Sequence, residues 1–309
     1  MSTRHSFRFG TGLFPASSRD QLLSLARKVE DLGYDIGVVP DHFESYLATS
    51  LSLLAVAETT RRLRIGSFVF DNDFRHPALL AKEVATLDQL SGGRFELGLG
   101  AGWKAVEYAS TGIPFDPPGV RVSKLTESVH IIKRLLAGEK VTFDGIYYTL
   151  ADLENFPLPV QTPHPPLLIG GGGKRVLSLA AREANIVGLL VRSSGGKLDI
   201  TDCSTAATNQ RIQWIREAAG ERFDSLELNT LVFNVIVTDH RQQAADQLGR
   251  ERGLAAEHVL DSTHFLVGTI EQISEDIQRW REQFGISYIT VFPYNMDDFA
   301  PVVTRLAGR

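Results

Sequence analysis

The stretch Gly93-Arg94-Phe95-Glu96-Leu97-Gly98-Leu99-Gly100-Ala101-Gly102-Trp103 joins an alternating run to a glycine-rich loop. Apolar side chains occupy every second position from Phe95 to Leu99, which is the period of a β-strand. Glycines occupy every second position from Gly98 to Gly102, and without a Cβ they let another backbone or a flat ligand come close. The stretch therefore predicts a buried strand that ends in a candidate binding loop.

On both sides of this stretch, short apolar runs alternate with helical patterns. Strands are predicted over residues 7–14, 36–39, 64–70, the opening stretch, 165–169, 186–191, 226–237 and 286–292. Helices are predicted over residues 18–32, 51–60, 77–90, 122–136, 176–183, 205–219, 242–251, 270–284 and 299–306. Strands that alternate with amphipathic helices favour a parallel sheet, and this number of units predicts an α/β fold, the (β/α)₈ or TIM barrel.

We treat residues 1–309 as one domain. The proline-rich part, roughly residues 138–165, is predicted as an insertion between units four and five, with a hairpin over residues 141–150. The polar, glycine-containing segment 193–204 is a candidate lid. In a (β/α)₈ barrel the chemistry lies on loops at the carboxyl ends of the strands, so we look for site residues there.

Composition narrows the class of protein. The chain is 43% hydrophobic and 22% charged with a net charge of −5, and it has no basic block that would favour nucleic acid or an anionic membrane. Cys203 is the single cysteine, so no internal disulfide can form. The polar start of the chain and the lack of a long apolar run predict neither a secretory signal nor a membrane span. A cytoplasmic protein that acts on a small molecule is the expectation.

The first candidate site is Asp41-His42, directly after the second predicted strand. An imidazole can donate or shuttle a proton near neutral pH, and Asp41 could orient it. The alternative is a capping Asp and a structural His at a helix entry. Glu107 could face the same end of the barrel, although its position alone favours the surface.

Three further loops follow predicted strands. Asp71-Asn72-Asp73 could bond its own backbone in a turn. Ala101-Gly102-Trp103 could admit a planar ring with Trp103 as a wall, or could be a tight turn with a packed aromatic. The run Gly170–Arg175 begins a helix, so its N–H groups and the charges of Lys174 and Arg175 predict a phosphate site. The remaining histidines lack metal-ligand spacing, and no metal site is predicted.

These loops, taken together, resemble a known family, the luciferase-like flavin and deazaflavin oxidoreductases, over nearly the whole chain. The C-terminal runs at 285–291 and 299–303 are similar to an actinobacterial subgroup associated with the deazaflavin coenzyme F420. The other matching stretches are Asp41-His42, Arg75-His76-Pro77-Ala78 with Ala81-Lys82, residues 86–94, residues 97–103, Pro159-Val160-Gln161 and residues 166–173.

The resemblance implies a homodimer with the cofactor ring across the barrel opening. It assigns the ring to Phe68, Val69, Asp71, Asn72, Ala101 and Gly102, with a non-proline cis peptide at Phe68-Val69 behind it. It assigns the phosphate to Gly171, Gly172, Gly173 and Lys174, and proton donation to His42, helped by Asp41 or Glu107. Trp103 and Phe14 are assigned to the substrate pocket.

One departure from the family's sugar-phosphate dehydrogenases narrows the expected substrate. Trp103 stands where those enzymes have an acidic Glu, which favours a more apolar substrate. The expected function is hydride transfer between reduced F420 and an unsaturated or carbonyl-like small molecule. Two alternatives stay open: an FMN-dependent monooxygenase that uses oxygen, and a barrel that binds flavin without turnover.

Overall fold

A closed barrel of eight parallel strands forms the centre of the computed structural model, which describes residues 5–44 and 46–309. The order around the barrel is β3-β2-β1-β8-β7-β6-β5-β4, and pairing of β3 with β4 closes it. The predicted (β/α)₈ fold is confirmed. The strands are β1 Arg8–Gly12, β2 Ile36–Val39, β3 Arg64–Ser67, β4 Phe95–Gly100, β5 Leu167–Gly171, β6 Ile186–Leu189, β7 Glu227–Val232 and β8 Ile286–Val291.

The helices pack around the barrel and leave its carboxyl end, here called the mouth, to the loops. Ser18 caps the first helix through the N–H of Gln21, and Thr269 with Gln272 forms a capping box on the tenth. The helices are α1 Arg19–Asp31, α2 Thr49–Thr59, α3 Pro77–Leu90, α4 Ala105–Thr111, α5 Pro118–Leu136, α6 Lys174–Glu183, α7 Thr205–Ala219, α8 Arg241–Arg252, α9 Ala256–Asp261, α10 Ile270–Phe284 and α11 Met296–Leu306. The sequence did not predict α4 and α9, because they are too short to show a helical period.

The predicted seventh strand, residues 226–237, is wrong as a single element. It divides at Phe233 into β7 and a separate strand Asn234–Val237. The second piece leaves the barrel and pairs in parallel with a strand that was not predicted, Phe265–Gly268. Asn295 stabilises the division, since its amide donates to the Phe233 carbonyl and accepts from the Val235 N–H.

Two excursions from the barrel have their own local structure. In the insertion, Val141–Asp144 pairs with Thr149–Leu153, close to the predicted hairpin. The candidate lid was expected to be a loop, but it contains a small hairpin of Ser193–Ser194 with Lys197–Leu198 and a single turn at Ile200–Asp202. A Cβ on Gly196 would lie 2.7 Å from the Ala105 Cβ, so the hairpin packs on the start of α4.

Charged side chains fill the amino end of the barrel. Arg8 donates to Glu227 at 2.7 Å and to Glu96, and Arg64 Nε donates to Glu96 at 2.5 Å. Burial and the neighbouring Glu96 carboxylate raise the pKa of Glu227 to about 7, although Arg8 opposes the rise. These ion pairs lie at the amino end of the strands, so the opposite end is the one open to a ligand.

None of the helices in the described ranges combines the length and apolar character that spanning a bilayer requires.

His264 gives a test of the fold through pH. It is fully buried, its Nδ1 bonds the Leu231 carbonyl at 2.8 Å, and burial lowers its pKa from 6.5 to about 4. Between pH 6.5 and about 4, His264 therefore binds a proton in the unfolded chain but not in the folded chain. The free energy of unfolding falls by up to about 1.4 kcal/mol for each unit by which the pH is lowered. We expect urea unfolding to show that the wild type loses stability relative to His264→Asn as the pH falls from about 6.5 to about 4.5.

The Asn amide keeps the donor to Leu231, so the comparison isolates the proton. The raised pKa of Glu227 has the opposite effect on stability, but it is present in both proteins and cancels in the difference. Parallel stability curves for the two proteins would contradict the assignment of His264 as a buried neutral imidazole.

Candidate active site at the mouth of the barrel

The glycines of the opening stretch make room for an irregular turn at the end of β3. Phe68-Val69 is a cis peptide bond, as the resemblance predicted. A Cβ on Gly98 would overlap the Ser67 carbonyl oxygen, and one on Gly100 would lie 2.7 Å from Val69 Cγ2. The close approach expected from these two glycines is therefore made by the neighbouring strand, which places Phe68 and Val69 inside the mouth.

His42 is held by Glu107. Its Nδ1 lies 2.9 Å from Glu107 Oε2, and the other carboxylate oxygen accepts the Phe43 N–H at 3.0 Å. The Glu107 side chain is 6% exposed and that of His42 is 23% exposed, so the imidazole is the partner that faces solvent. Lys104 lies 3.7 Å from Glu107 and also pairs with Glu44. The surface position favoured for Glu107 by sequence is wrong, and the alternative at the mouth is correct.

Asp41 has a different role from the one predicted. Its carboxylate accepts two bonds from Arg75, one from Thr49 Oγ1 at 3.0 Å and one from the Asp71 N–H at 3.0 Å. Glu107, and not Asp41, is the carboxylate that contacts His42. Asp41 connects the loops after β2 and β3, because both the Arg75 guanidinium and the Asp71 N–H, which follow β3, donate to its carboxylate.

Asp71 lies in a buried polar group beneath the loop after β4. It accepts from the Tyr108 hydroxyl at 2.8 Å and from the Asp73 N–H at 3.0 Å, the latter being the local turn bond expected from sequence. Burial raises the pKa of Asp71 to about 7, and the neighbouring Asp73 and Asp41 carboxylates add to the rise. A Cβ on Gly102 would lie 2.6 Å from Asp71 Oδ2, so this glycine is required for packing.

Asn72 and Ala101 differ in how fully their polar groups are bonded. Asn72 is 1% exposed and donates to the Tyr148 hydroxyl at 3.2 Å, but its Oδ1 has no donor among the described residues. The Ala101 carbonyl accepts from Arg121 Nε at 3.0 Å. Asn72 therefore keeps a buried acceptor that a ligand N–H could use.

The three glycines from the last residue of β5 to the start of α6, Gly171 to Gly173, have different surroundings. A Cβ on Gly171 would meet Val176 at 2.5 Å, and one on Gly172 would meet the Leu190 carbonyl at 2.6 Å. Gly173 has nothing within 4 Å of such a Cβ and occupies the N-cap of α6 without a side-chain cap. The first two glycines are thus needed for packing, and Gly173 exposes the positive end of the helix. The Lys174 ammonium is exposed and lies 3.5 Å from Glu217.

Trp103 follows β4 and Phe14 follows β1, so the two residues belong to different loops of the mouth. Trp103 meets His42 edge to face, with ring centres 5.9 Å apart. Phe14 covers Gly12 at the end of β1 and makes edge contacts with Tyr46 and Phe292. The structure thus brings His42, Glu107 and Trp103 together and places Phe14 in a separate aromatic group.

Four residues around the site were not predicted from the sequence: Lys104, Tyr108, Arg75 and Arg121. Lys104 and Tyr108 flank Glu107 on or beside α4, a helix that was not predicted. A signal existed for Arg75, which lies in the quoted run Arg75-His76-Pro77, but only the contact with Asp41 shows its role.

The mouth of this closed (β/α)₈ barrel carries a histidine–carboxylate pair and glycine-rich loops. These features are typical of a barrel that binds a small molecule at the carboxyl ends of its strands. The family model for luciferase-like monooxygenases matches residues 2–287, so the chain belongs to that family. The predicted family is confirmed.

Individual relatives agree with this assignment. The chain is 34% identical over 189 residues to an F420-dependent glucose-6-phosphate dehydrogenase of Amycolatopsis mediterranei (strain U-32), which covers 59% of this chain and 56% of the relative. The chain thus spans a little over half the length of that relative.

Solved structures show the same fold. An F420-dependent secondary alcohol dehydrogenase in complex with an F420-acetone adduct has a TM-score of 0.76 at 20% identity, covering 98% of this chain and 99% of that one. A monooxygenase from Streptomyces bottropensis has a TM-score of 0.74 at 23% identity, covering 96% and 99%.

Proposed function

We propose that this protein is an F420-dependent oxidoreductase that transfers a hydride between reduced deazaflavin and an unsaturated or carbonyl-like small molecule. The observation that carries the proposal is the His42–Glu107 pair, a partly exposed imidazole backed by a buried carboxylate at the mouth. The similarity to F420-dependent relatives supports the choice of cofactor.

The residues at the mouth fit such a cofactor. The unused acceptor on Asn72 suits a ring N–H, and Phe68 and Val69 offer an apolar surface beside it. The uncapped start of α6 at Gly173 suits a phosphate, because its N–H groups and helix dipole favour an anion. Bound there, the coenzyme would supply the hydride.

His42 would move the proton that accompanies this hydride. Because Nδ1 bonds the Glu107 carboxylate, Nε2 is the nitrogen available to a substrate. Glu107 fixes the ring orientation, and it is itself fixed by the Phe43 N–H and by Lys104. Trp103, in edge-to-face contact with the imidazole, would restrict the access of water and shape the pocket.

Gly173 gives a test of the phosphate site that does not depend on turnover. Asp and Asn are both good N-caps and fit the open space there, so both variants should fold. We expect Gly173→Asp to raise the F420 dissociation constant at least about tenfold over Gly173→Asn, because a carboxylate repels the phosphate at low salt. Fluorescence titration of F420 measures both values, and equal constants would contradict this site.

An FMN-dependent monooxygenase is the second candidate, favoured by the structural likeness to the Streptomyces enzyme. Titration of the purified protein with FMN and with F420, followed by oxygen uptake, separates the two. Tight FMN binding with oxygen consumption would replace the F420 proposal. Binding of either cofactor with no redox activity across a broad substrate panel would favour a barrel that only binds flavin. The homodimer stays a prediction.

A further inference from the structure

Four aromatic rings follow one another along adjacent strand ends of the mouth. Phe233 follows β7, Phe292 follows β8, Phe14 follows β1 and Tyr46 follows β2. Their successive ring centres are 6.1, 6.1 and 5.3 Å apart. We call this set the aromatic wall. Phe14, Tyr46 and Phe292 are partly exposed, so the wall offers ring surface to a ligand.

The aromatic wall and the proposed cofactor site occupy different halves of the mouth. The cis peptide, the Gly102 loop and Gly173 follow β3, β4 and β5, on the far side of the barrel from β8. His42 follows β2, as Tyr46 of the wall does, and it contacts Trp103 after β4. The proton donor therefore lies at the boundary between the two halves, where a substrate on the wall would meet the cofactor.

The cations of the surrounding loops already have partners. Lys104 pairs with Glu44 and Glu107, and Arg75 with Asp41. Arg121 donates to backbone carbonyls, and Lys124 pairs with Asp116. A phosphorylated substrate would have to break one of these bonds at a cost in desolvation. Lys197 is exposed on the hairpin, so it is the cation to replace in a test for binding of a phosphorylated substrate.

We infer that the aromatic wall binds an uncharged, planar conjugated carbonyl compound with an aryl group, which packs against Phe292 and Phe14. This inference rests on the proposed function and specifies its substrate class. In the reduction of such an enone, the hydride from reduced deazaflavin adds to the β-carbon as the carbon–carbon π bond breaks. His42 gives its Nε2 proton to the α-carbon, so the products are the saturated ketone and oxidised deazaflavin.

A matched pair of substrates tests the inference. Benzylideneacetone and ethylideneacetone carry the same enone and differ in a phenyl against a methyl group. We expect kcat/KM with reduced F420 to be at least about tenfold higher for benzylideneacetone, since an aromatic contact adds about 0.5–1.5 kcal/mol to the area that it buries. Phe292→Leu and Phe14→Leu should remove most of this preference, while Phe156→Leu, on the exposed insertion, should keep it.

A binding measurement without turnover completes the test. Benzylacetone, the saturated product, should bind the wild type and Phe156→Leu in calorimetry and should bind Phe292→Leu at least about tenfold more weakly. If F420 binds and reduced F420 is oxidised equally well by the two enones, the aromatic wall is not the substrate site, and the proposed function stands. Faster reduction of oxidised F420 by glucose 6-phosphate, lost in Lys197→Ala, would overturn the aromatic wall as well. Failure to bind F420 would exclude the proposed function. Calorimetry with benzylacetone would still test whether the aromatic wall binds an aryl group.

Discussion

Replacing His42 by alanine is expected to lower turnover by about 10²- to 10⁴-fold while the F420 dissociation constant stays unchanged. The imidazole contacts Glu107 and Trp103, and its exposed face is turned to the mouth. Its removal takes away the proton donor but none of the groups assigned to the cofactor. Stopped-flow oxidation of reduced F420 by benzylideneacetone, with F420 titration in parallel, measures the two effects separately.

Glu107→Gln tests how the imidazole is oriented. Glu107 accepts from both His42 and the Phe43 N–H, and a glutamine offers only one oxygen for these two donors. We expect kcat to fall by about 10- to 100-fold with little change in KM, because the imidazole is misoriented but the pocket is kept. In the double variant His42→Ala, Glu107→Gln the losses should not add, since Glu107 acts through His42.

His130 is a matched control for this pair. It is half-exposed on α5 and its Nε2 lies 3.4 Å from Glu183, so it forms a second histidine–carboxylate pair, between two outer helices. His130→Ala should leave kcat and F420 binding unchanged. Additive losses in the double variant, or full turnover in His42→Ala, would exclude His42 as the proton donor.

The sequence predicted the fold because the alternation of strand and helix patterns runs through the whole chain. It failed at residues 226–237, where β-branched residues lie on both sides of Phe233 and no glycine or proline marks the division. What divides the strand is the Asn295 side chain, which comes from a distant part of the chain. Periodicity reports which face of a strand is buried, and it cannot report which partner each half takes.

Strand-end position predicted that His42 lies at the mouth, but it did not predict which carboxylate contacts the imidazole. Asp41 is adjacent in sequence, whereas Glu107 is 65 residues away and was placed at the surface. Adjacent residues on an extended segment point in opposite directions, so Asp41 turns to Arg75 while His42 turns to the mouth. The orienting carboxylate of a histidine is thus fixed by tertiary packing, here by the short helix α4, which has no pattern of its own.

The glycines of the opening stretch give the second large prediction. Gly98→Ala should destabilise the protein by about 3 kcal/mol or more, above the usual cost of an added methyl group. A methyl group there would overlap the Ser67 carbonyl oxygen, and Gly98 also exchanges two 2.9 Å bonds with the Ser67 hydroxyl. The obstacle is backbone held by pairing with both neighbouring strands, so it cannot move aside as a flexible side chain could.

Gly173→Ala is the matched control, because an added Cβ there has nothing within 4 Å and the backbone has an ordinary φ of −96°. Urea unfolding should show a large loss for Gly98→Ala and little change for Gly173→Ala. If Gly98→Ala does not fold, Gly100→Ala gives a smaller test, because its methyl group would meet the side chain of Val69 at 2.7 Å. Wild-type stability in both Gly98→Ala and Gly100→Ala would mean that these glycines are not needed to make room for the turn at the end of β3. Their spacing would then be explained by direct contact with the cofactor ring.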